Sequence, residues 1–358
     1  MSPSVVASLV RRVLGDAAAD DVLATVDLTP PERTTTCQAP RGPTTTCQAP
    51  RGPEVVERAD IAHALHVVLY ADLMTVVPSA AAYAVDQQAA GRGVVLDHAA
   101  VRTVAWPAGA LPPGIEQVTR ILRPLGYERH ATYPLTRLRM TGHAYAHVDR
   151  PEVVPQWFVS ELHPDTFSPP FQQAVTRVLE ASTDPLDAAT RDRLARLEAD
   201  RALPLGDAVA LVDALRHAFG RQHPLPTDRD HDVLRAESAE MAWIATEGTT
   251  CNHCTDRVDD VFVVAESERE RGRPIKDSVE VSTSGRVRQT AHRATPVVRG
   301  LRTLEGDVVE REVPGSFFEV ISRDPLPEGG LDLAFDAANA TGIFAMTRPA
   351  GADEPGAP

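Results

Sequence analysis

The chain has 358 residues, room for about two domains at ~150 residues each, and its 43% apolar, 24% charged and 5% aromatic residues make a globular composition. Lys and Arg number 36 against 50 Asp and Glu, a net charge of −14, which excludes the diffuse basic field that nucleic-acid phosphates need. No apolar run comes near the ~20 residues of a membrane span, and the apolar run Val5–Val10 precedes Arg11 and Arg12, the reverse of a signal peptide.

Four Cys in a chain of this length make no disulfide framework. The expectation is a soluble, reduced, cytoplasmic protein with neither nucleic acid nor membrane as partner. A single Lys, Lys276, stands against 35 Arg, a bias read as codon composition.

In chain order, residues 4–13 and 18–26 read as short amphipathic helices. Thr34–Pro43 and Thr44–Pro53 are the same ten residues, TTTCQAPRGP. Two short polar units cannot build a solenoid, so a disordered loop is expected, with Cys37 and Cys47 as passengers. Residues 59–73 and 79–90 have helical periodicity, the first carrying His63 and His66 as core or surface histidines. Val-rich 93–106 predicts a strand, 115–125 a helix stopped at Gly126, and 133–163 extended chain. Three helical stretches follow, 170–182, 187–200 and 205–219, with Ser182 and Asp184 as candidate caps near Pro185, and 233–247 adds another. From Cys251 onward β character returns, with a hairpin turning near Ser284–Gly285 and a strand over 316–323.

The expected architecture is α+β. Residues 1–30 are N-terminal helices, 31–53 the repeat loop, 54–163 helices plus a first β module, 164–247 a helical insertion, 248–348 a second β module and 349–358 a disordered tail.

Three segments carry candidate metal ligands. In LDHAAVRT, His98 and Arg102 are four residues apart, which places both on one face of a helix or a strand; Arg holds a carboxylate through two parallel hydrogen bonds. In CNHCTDRV, His253 lies inside a C-x-x-C pair, Cys251 and Cys254. That spacing invites zinc or thiol chemistry, but no second pair of ligands follows, and His253 is preferred as the ligand. In SFFEVISR, alternation places Phe317, Glu319 and Ile321 on one face, and a carboxylate in that apolar setting needs a partner or a metal. Two His and one carboxylate with open positions form the facial triad of non-haem Fe(II) oxygenases. A rival set is His143 and His147 with Asp149, Glu161 and His163, which would suit a hydrolase or a plain binding site.

The run RILRPLGYERHATYPLTRLRMTGHAYAHVDRPEVVPQWFVSELHPDTFSPPFQQAV (120–175), together with DHAAVRT, NHCTDRVDDV, SGRVRQTA, GSFFEVISR and FDAANATGIFAMTR, resembles the 2-oxoadipate dioxygenase/decarboxylase family, the 2-hydroxyglutarate synthases. The resemblance implies an elaborated vicinal-oxygen-chelate fold, its β modules forming a central barrel-like sheet. It implies Fe(II) on His98, His253 and Glu319, with Arg102 as the catalytic arginine holding a substrate carboxylate. The substrates it implies are a 2-oxo acid and O2, and the setting lysine catabolism. For the far carboxylate of a diacid the candidates are Arg286, Arg288 and Gln289. Alternation puts Arg286, Arg288 and Thr290 on one face and Gln289 on the other, and the resemblance favours Gln289. A non-redox metal isomerase or hydrolase of the same fold and a non-catalytic 2-oxo acid sensor are the alternatives.

Overall fold

The computed structural model describes residues 3–28 and 54–335. The tandem repeat with Cys37 and Cys47, the tail from Pro349 and most of FDAANATGIFAMTR lie outside the described residues. The elements run α1 (Pro3–Leu14), α2 (Asp16–Leu23), β1 (Val55–Glu57), α3 (Arg58–Val76), α4 (Pro78–Ala89), β2 (Leu96–Val104), α5 (Glu116–Leu122), β3 (Tyr127–Leu135), β4 (Met140–His147) and β5 (Gln156–Leu162). Then come α6 (Pro169–Leu179), α7 (Ala188–Asp200), β6 (Ala202–Pro204), α8 (Leu205–Ala218), α9 (Asp228–Glu237) and α10 (Ala239–Glu247). The chain closes with β7 (His253–Arg257), α11 (Val261–Glu270), β8 (Glu280–Val281), β9 (Val287–Ala291), β10 (Pro296–Arg302), β11 (Val308–Pro314) and β12 (Phe317–Arg323).

Eight strands form one curled sheet in the order β3-β4-β5-β2-β7-β12-β9-β8. Its halves repeat one plan. A first strand, β2 or β7, is followed by a helix, α5 or α11, and then by three further strands of this sheet, the last of which returns parallel beside the first; in the second half the β10–β11 ribbon is inserted before that last strand. The first strands of the two halves meet antiparallel at the centre, with His98 opposite Thr255 and Ala100 opposite His253. Central strands covered on both faces become continuous apolar runs, and β2 and β12 are buried along their whole length. One face packs on α3 and α4 through Val101, Cys254, Phe318 and Val320, with α1 and α8 behind α3 in the same core. The other curls around Ala100, Phe158 and Leu162.

Several expectations need correction. The 19-residue α3 is long and apolar enough to cross a membrane, where no run was expected to come near that length, but 72% of its apolar window is buried inside the protein. The helix expected over 233–247 is two, because Ser238 leaves the helical backbone and caps α10 through Met241 N at 3.1 Å. Asp184 caps no helix: it accepts from Arg120 Nη1 and Nη2 at 2.8 and 2.7 Å and from Leu186 N at 3.0 Å, and the N-cap of α7 is Asp187. The β character from Cys251 is interrupted by α11, and β10 and β11 form a two-stranded sheet apart from the main one.

His63, buried in α3, is driven down to about 4 by burial and by Arg150. An unfolded His titrates near 6.5. The folded chain therefore binds fewer protons than the unfolded one between these values. The stability from this group is complete above pH 6.5 and falls as pH drops, by about 2 kcal/mol between pH 7.5 and 5. Urea midpoints measured across that range should fall, and His63→Leu should flatten the slope. An unchanged slope in the variant would assign the acid sensitivity elsewhere.

Candidate metal centre

The centre of the sheet sets the site. Register places His98 and Arg102 of β2, His253 and Thr255 of β7 and Glu319 of β12 on one face, because Glu319 lies opposite Thr255 and Thr255 opposite His98. His98, His253 and Glu319 are buried, and one ligand atom from each lies within 4.8 Å of the other two. His98 Nε2 and His253 Nε2 are each 3.5 Å from Glu319 Oε2. His253 Nε2 and Glu319 Oε1 are buried without any hydrogen-bond partner. Orphaned polar atoms of this kind are costly in a protein interior, and a divalent cation shared by the three side chains satisfies them. Two imidazoles and one carboxylate suit non-haem iron.

Neighbouring groups fix the imidazoles. A β-bulge between Leu96 and His98 makes Asp97 the extra residue on β2, so adjacent side chains can turn the same way. His98 Nδ1–H donates to Asp97 Oδ1 at 2.8 Å, which leaves Nε2 with its lone pair toward the cluster. Burial pushes the Asp97 carboxyl up, but Arg323, donating to both its oxygens at 2.9 Å, and His98 together hold it well below the usual carboxylate range. The pKa of His98 is raised: burial opposes the charge, and the bonds to Asp97 and Glu319 outweigh it. His253, with burial dominant over the attraction of Glu319, is lowered to about 4. Its Nδ1 lies 3.1 Å from the Asn252 amide nitrogen, while the Asn252 oxygen has no partner. A half-turn of that amide lets the oxygen accept from Nδ1–H and frees Nε2 for a metal. Burial raises the Glu319 carboxyl, and the attraction of His253, His98 and Lys276 outweighs it, so it is held low.

Arg102 is fully buried, its guanidinium 4.8 Å from the Trp243 ring centroid. Burial lowers its pKa to about 10, still cationic at neutral pH, and its charge acts on His253. Gln289 shares the face of Glu319, because it lies opposite Ile321 while Ala291 lies opposite Glu319. Arg288 points the other way onto Asp324, at 2.6 and 3.0 Å, and Arg286 is held by Asp332 at 2.7 Å. Phe335 closes over the site, its ring 4.9 Å from that of His98. Arg323 ties down the chain leading to it through the Asp332 and Ala334 carbonyls, both at 2.8 Å.

The rival set is dispersed. His143 alternates with Gly142 and Ala144 and faces away from the cluster, 3.4 Å from Thr132 Oγ1. His147 Nδ1 accepts from the Asp149 and Arg150 amides, Asp149 pairs with Arg58, Glu161 accepts from Ile115 N and His163 bonds Thr141. Cys254 alternates with His253 into the core, its sulfur 3.6 Å from that of Cys251. Asp97, Asn252, Arg323, Trp243 and Phe335 escaped sequence reasoning, although Asp97 and Asn252 each directly precede a candidate ligand.

Two His and one Glu at the centre of a curled sheet built from two like halves define a protein of vicinal-oxygen-chelate fold with a candidate metal centre. The chain belongs to the 2-oxoadipate dioxygenase/decarboxylase family, whose sequence model matches residues 62–344. Among solved structures it is similar to a glyoxalase superfamily protein of Ralstonia eutropha JMP134, at 46% identity and TM-score 0.83 over 93% of this chain and 99% of that one. It shares its fold with the hydroxyglutarate synthase of Oryza sativa in complex with 2-oxoadipate, at 18% identity and TM-score 0.61 over 87% and 98% of the two chains. The hydroxyglutarate synthase of Pseudomonas putida, also in complex with 2-oxoadipate, stands at 20% identity and TM-score 0.56 over 81% and 72%. No curated protein matches the sequence.

Proposed function

We propose that this protein is an Fe(II)-dependent dioxygenase/decarboxylase that converts 2-oxoadipate and O2 to 2-hydroxyglutarate and CO2, a step of amino-acid catabolism such as that of lysine. The observation that carries the reading is the buried convergence of His98, His253 and Glu319, with orphaned ligand atoms, in a chain of this family. Bound to these residues, Fe(II) supplies the redox chemistry with O2 that side chains lack.

The chain's own residues do the rest. Asp97 holds His98 in the tautomer that presents Nε2. Arg102, stiffened on Trp243, offers a carboxylate two parallel donors and fixes its orientation. Gln289 lies on the same face, one strand beyond Glu319. Phe158 and Phe335, with ring centroids 5.2 Å apart, narrow access and keep water from the reacting carbons. The reaction breaks the C1–C2 bond and releases C1 as CO2. One oxygen of O2 enters the new carboxylate and the other the hydroxyl, so no further reductant is consumed.

Anaerobic loading with Fe(II), followed by O2-uptake measurement on adding 2-oxoadipate and mass analysis of the product, tests this. Equal amounts of O2 consumed, CO2 released and 2-hydroxyglutarate formed are expected. Uptake with a different 2-oxo acid alone would move the substrate. Bound iron with no uptake on any 2-oxo acid would sink the dioxygenase and leave a non-redox metal enzyme.

A further inference from the structure

Cys251 and Cys254 flank His253 and take no part in holding metal or substrate. Both are free thiols and buried, and their sulfurs are in contact at 3.6 Å. Residues three apart in an extended strand stand about 10 Å apart, so the contact exists because the chain bends where it enters β7. The bend is pinned. Asn252 N donates to Ala100 O at 2.9 Å, Phe317 N donates to Asn252 O at 3.0 Å, and Ser316 Oγ donates to Cys251 O at 3.1 Å. His253 follows at once, opposite Ala100 and Phe317. Its imidazole faces Glu319, while its carbonyl accepts from the Cys251 thiol at 3.0 Å. One thiol thus touches both its partner sulfur and the backbone of a candidate metal ligand.

We infer that Cys251 and Cys254 are a modification site, a dithiol that hydrogen peroxide closes to a disulfide, and that closure weakens metal binding through His253. The inference rests on the proposed function only in taking His253 as a metal ligand. Cys251 lies in the connection between α10 and β7, next to the half-buried Thr250, so a small oxidant meets it first. Having given up its proton, Cys251 Sγ attacks one peroxide oxygen. The O–O bond breaks, a sulfenic acid forms, and the leaving hydroxide takes up a proton as water. Cys254 Sγ then attacks the Cys251 sulfur; the S–S bond forms, the S–O bond breaks, and the hydroxide leaves as water with the Cys254 proton. Two thiols lose two electrons, and one peroxide is reduced to two waters. Burial makes the first step slow and dependent on local opening, unlike that of an exposed thiol. A disulfide draws the sulfurs together by about 1.5 Å. With Cys251 and Asn252 pinned to the neighbouring strands, the shift falls on the two side chains and on the His253 peptide. The same step consumes the S–H that the His253 carbonyl accepts. Groups that orient a ligand set metal affinity strongly, and here the thiol form is the one that supports His253.

The test uses the full chain with Cys37→Ser and Cys47→Ser, which removes the two thiols of the repeat. Metal-free protein is treated with hydrogen peroxide, freed of it, unfolded, alkylated and digested. The peptide carrying Cys251 and Cys254 should weigh two hydrogens less and take no alkyl group, and dithiothreitol should reverse both. Fe(II) affinity, measured by anaerobic calorimetry, should fall about 10–100-fold on oxidation and recover with dithiothreitol. A variant that also carries Cys251→Ala and Cys254→Ala should show no such fall after peroxide, with its thermal midpoint recorded to confirm folding. No disulfide on that peptide, or a disulfide with unchanged Fe(II) affinity, overturns the inference. An equal fall in the variant lacking both thiols does so as well. Thiol-dependent loss of iron in a protein that takes up no O2 with any 2-oxo acid would sink the dioxygenase and leave the dithiol in place. O2 uptake with 2-oxoadipate that peroxide leaves unchanged, with the disulfide formed, would do the reverse. Absence of Fe(II) binding by the reduced protein would overturn both.

Discussion

Glu319→Gln is expected to abolish turnover and to lower Fe(II) affinity by about three orders of magnitude, as for loss of ~4 kcal/mol of binding. Glutamine keeps the volume of the side chain, which matters because Glu319 is fully buried in β12 between Phe318 and Val320. Among the described residues it removes the one negative charge that faces both imidazoles at 3.5 Å. Without that charge two neutral His remain, too few to hold a divalent ion against water. Glutamine preserves the shape, so the metal-free variant should still fold, with a thermal midpoint below that of the wild type because the attraction of the carboxylate to the two imidazoles is lost. Metal content after desalting, read beside the thermal midpoint, separates the two effects. Stoichiometric iron in the folded variant would move the centre away from these residues.

Local pattern made much of this site visible beforehand, and where it failed the reason is physical. The parity of β2 and β12 was readable because side chains alternate along a strand, so His98 with Arg102, and Glu319 with Phe317, could be assigned to common faces from spacing alone. Their meeting is a matter of strand order. That β7 lies between β2 and β12 follows from two non-local pairings, one antiparallel and one parallel, which no local pattern encodes. Asp97 stayed hidden for a further reason. Strict alternation sends it to the face opposite His98, and only the bulge at Leu96–His98 brings the two together. The sheet of the second half was partly legible in the SGRV hairpin. The β10–β11 ribbon and α11 were not, because their residues follow neither a clean period of two nor one of 3.6 that would separate them from their surroundings.

Lys276 shows a different kind of loss. A count of one Lys against 35 Arg is a property of the whole chain and reads as codon usage. The same residue in the structure is buried against Glu280 beside the candidate metal ligands, a location where a flexible lysine carries a desolvation cost that arginine shares less. Helix α3 makes the converse point. Its composition satisfies a membrane criterion, and its surroundings, with Tyr70 against Phe318 at 6.3 Å and His66 against Trp157 at 4.5 Å, make it the core helix against which the sheet packs.

Arg102→Met should leave iron binding intact and reduce kcat/KM for 2-oxo acids by about 100–1,000-fold, the cost of removing one partner of a buried charge pair. Arg102 sits four residues beyond His98 on the same face of β2, and under the proposed function its guanidinium takes a substrate carboxylate and leaves the metal to the three ligands. Its guanidinium lies over Trp243, whose own Nε1–H donates to Gly315 O at 3.1 Å. The arginine therefore rests on a ring that is itself anchored, and little side-chain entropy remains to be lost when a carboxylate docks. A lysine at this position cannot reproduce two parallel donors or the stacking, and Arg102→Lys should recover less than about a tenth of the lost activity. Trp243→Leu should act in the same direction more weakly, raising KM without loss of iron. Substrate titrations of O2 uptake in iron-loaded variants measure all three. Full activity in Arg102→Lys would reduce the residue to a simple positive charge, and loss of iron in Arg102→Met would show that it supports the ligands instead of the substrate.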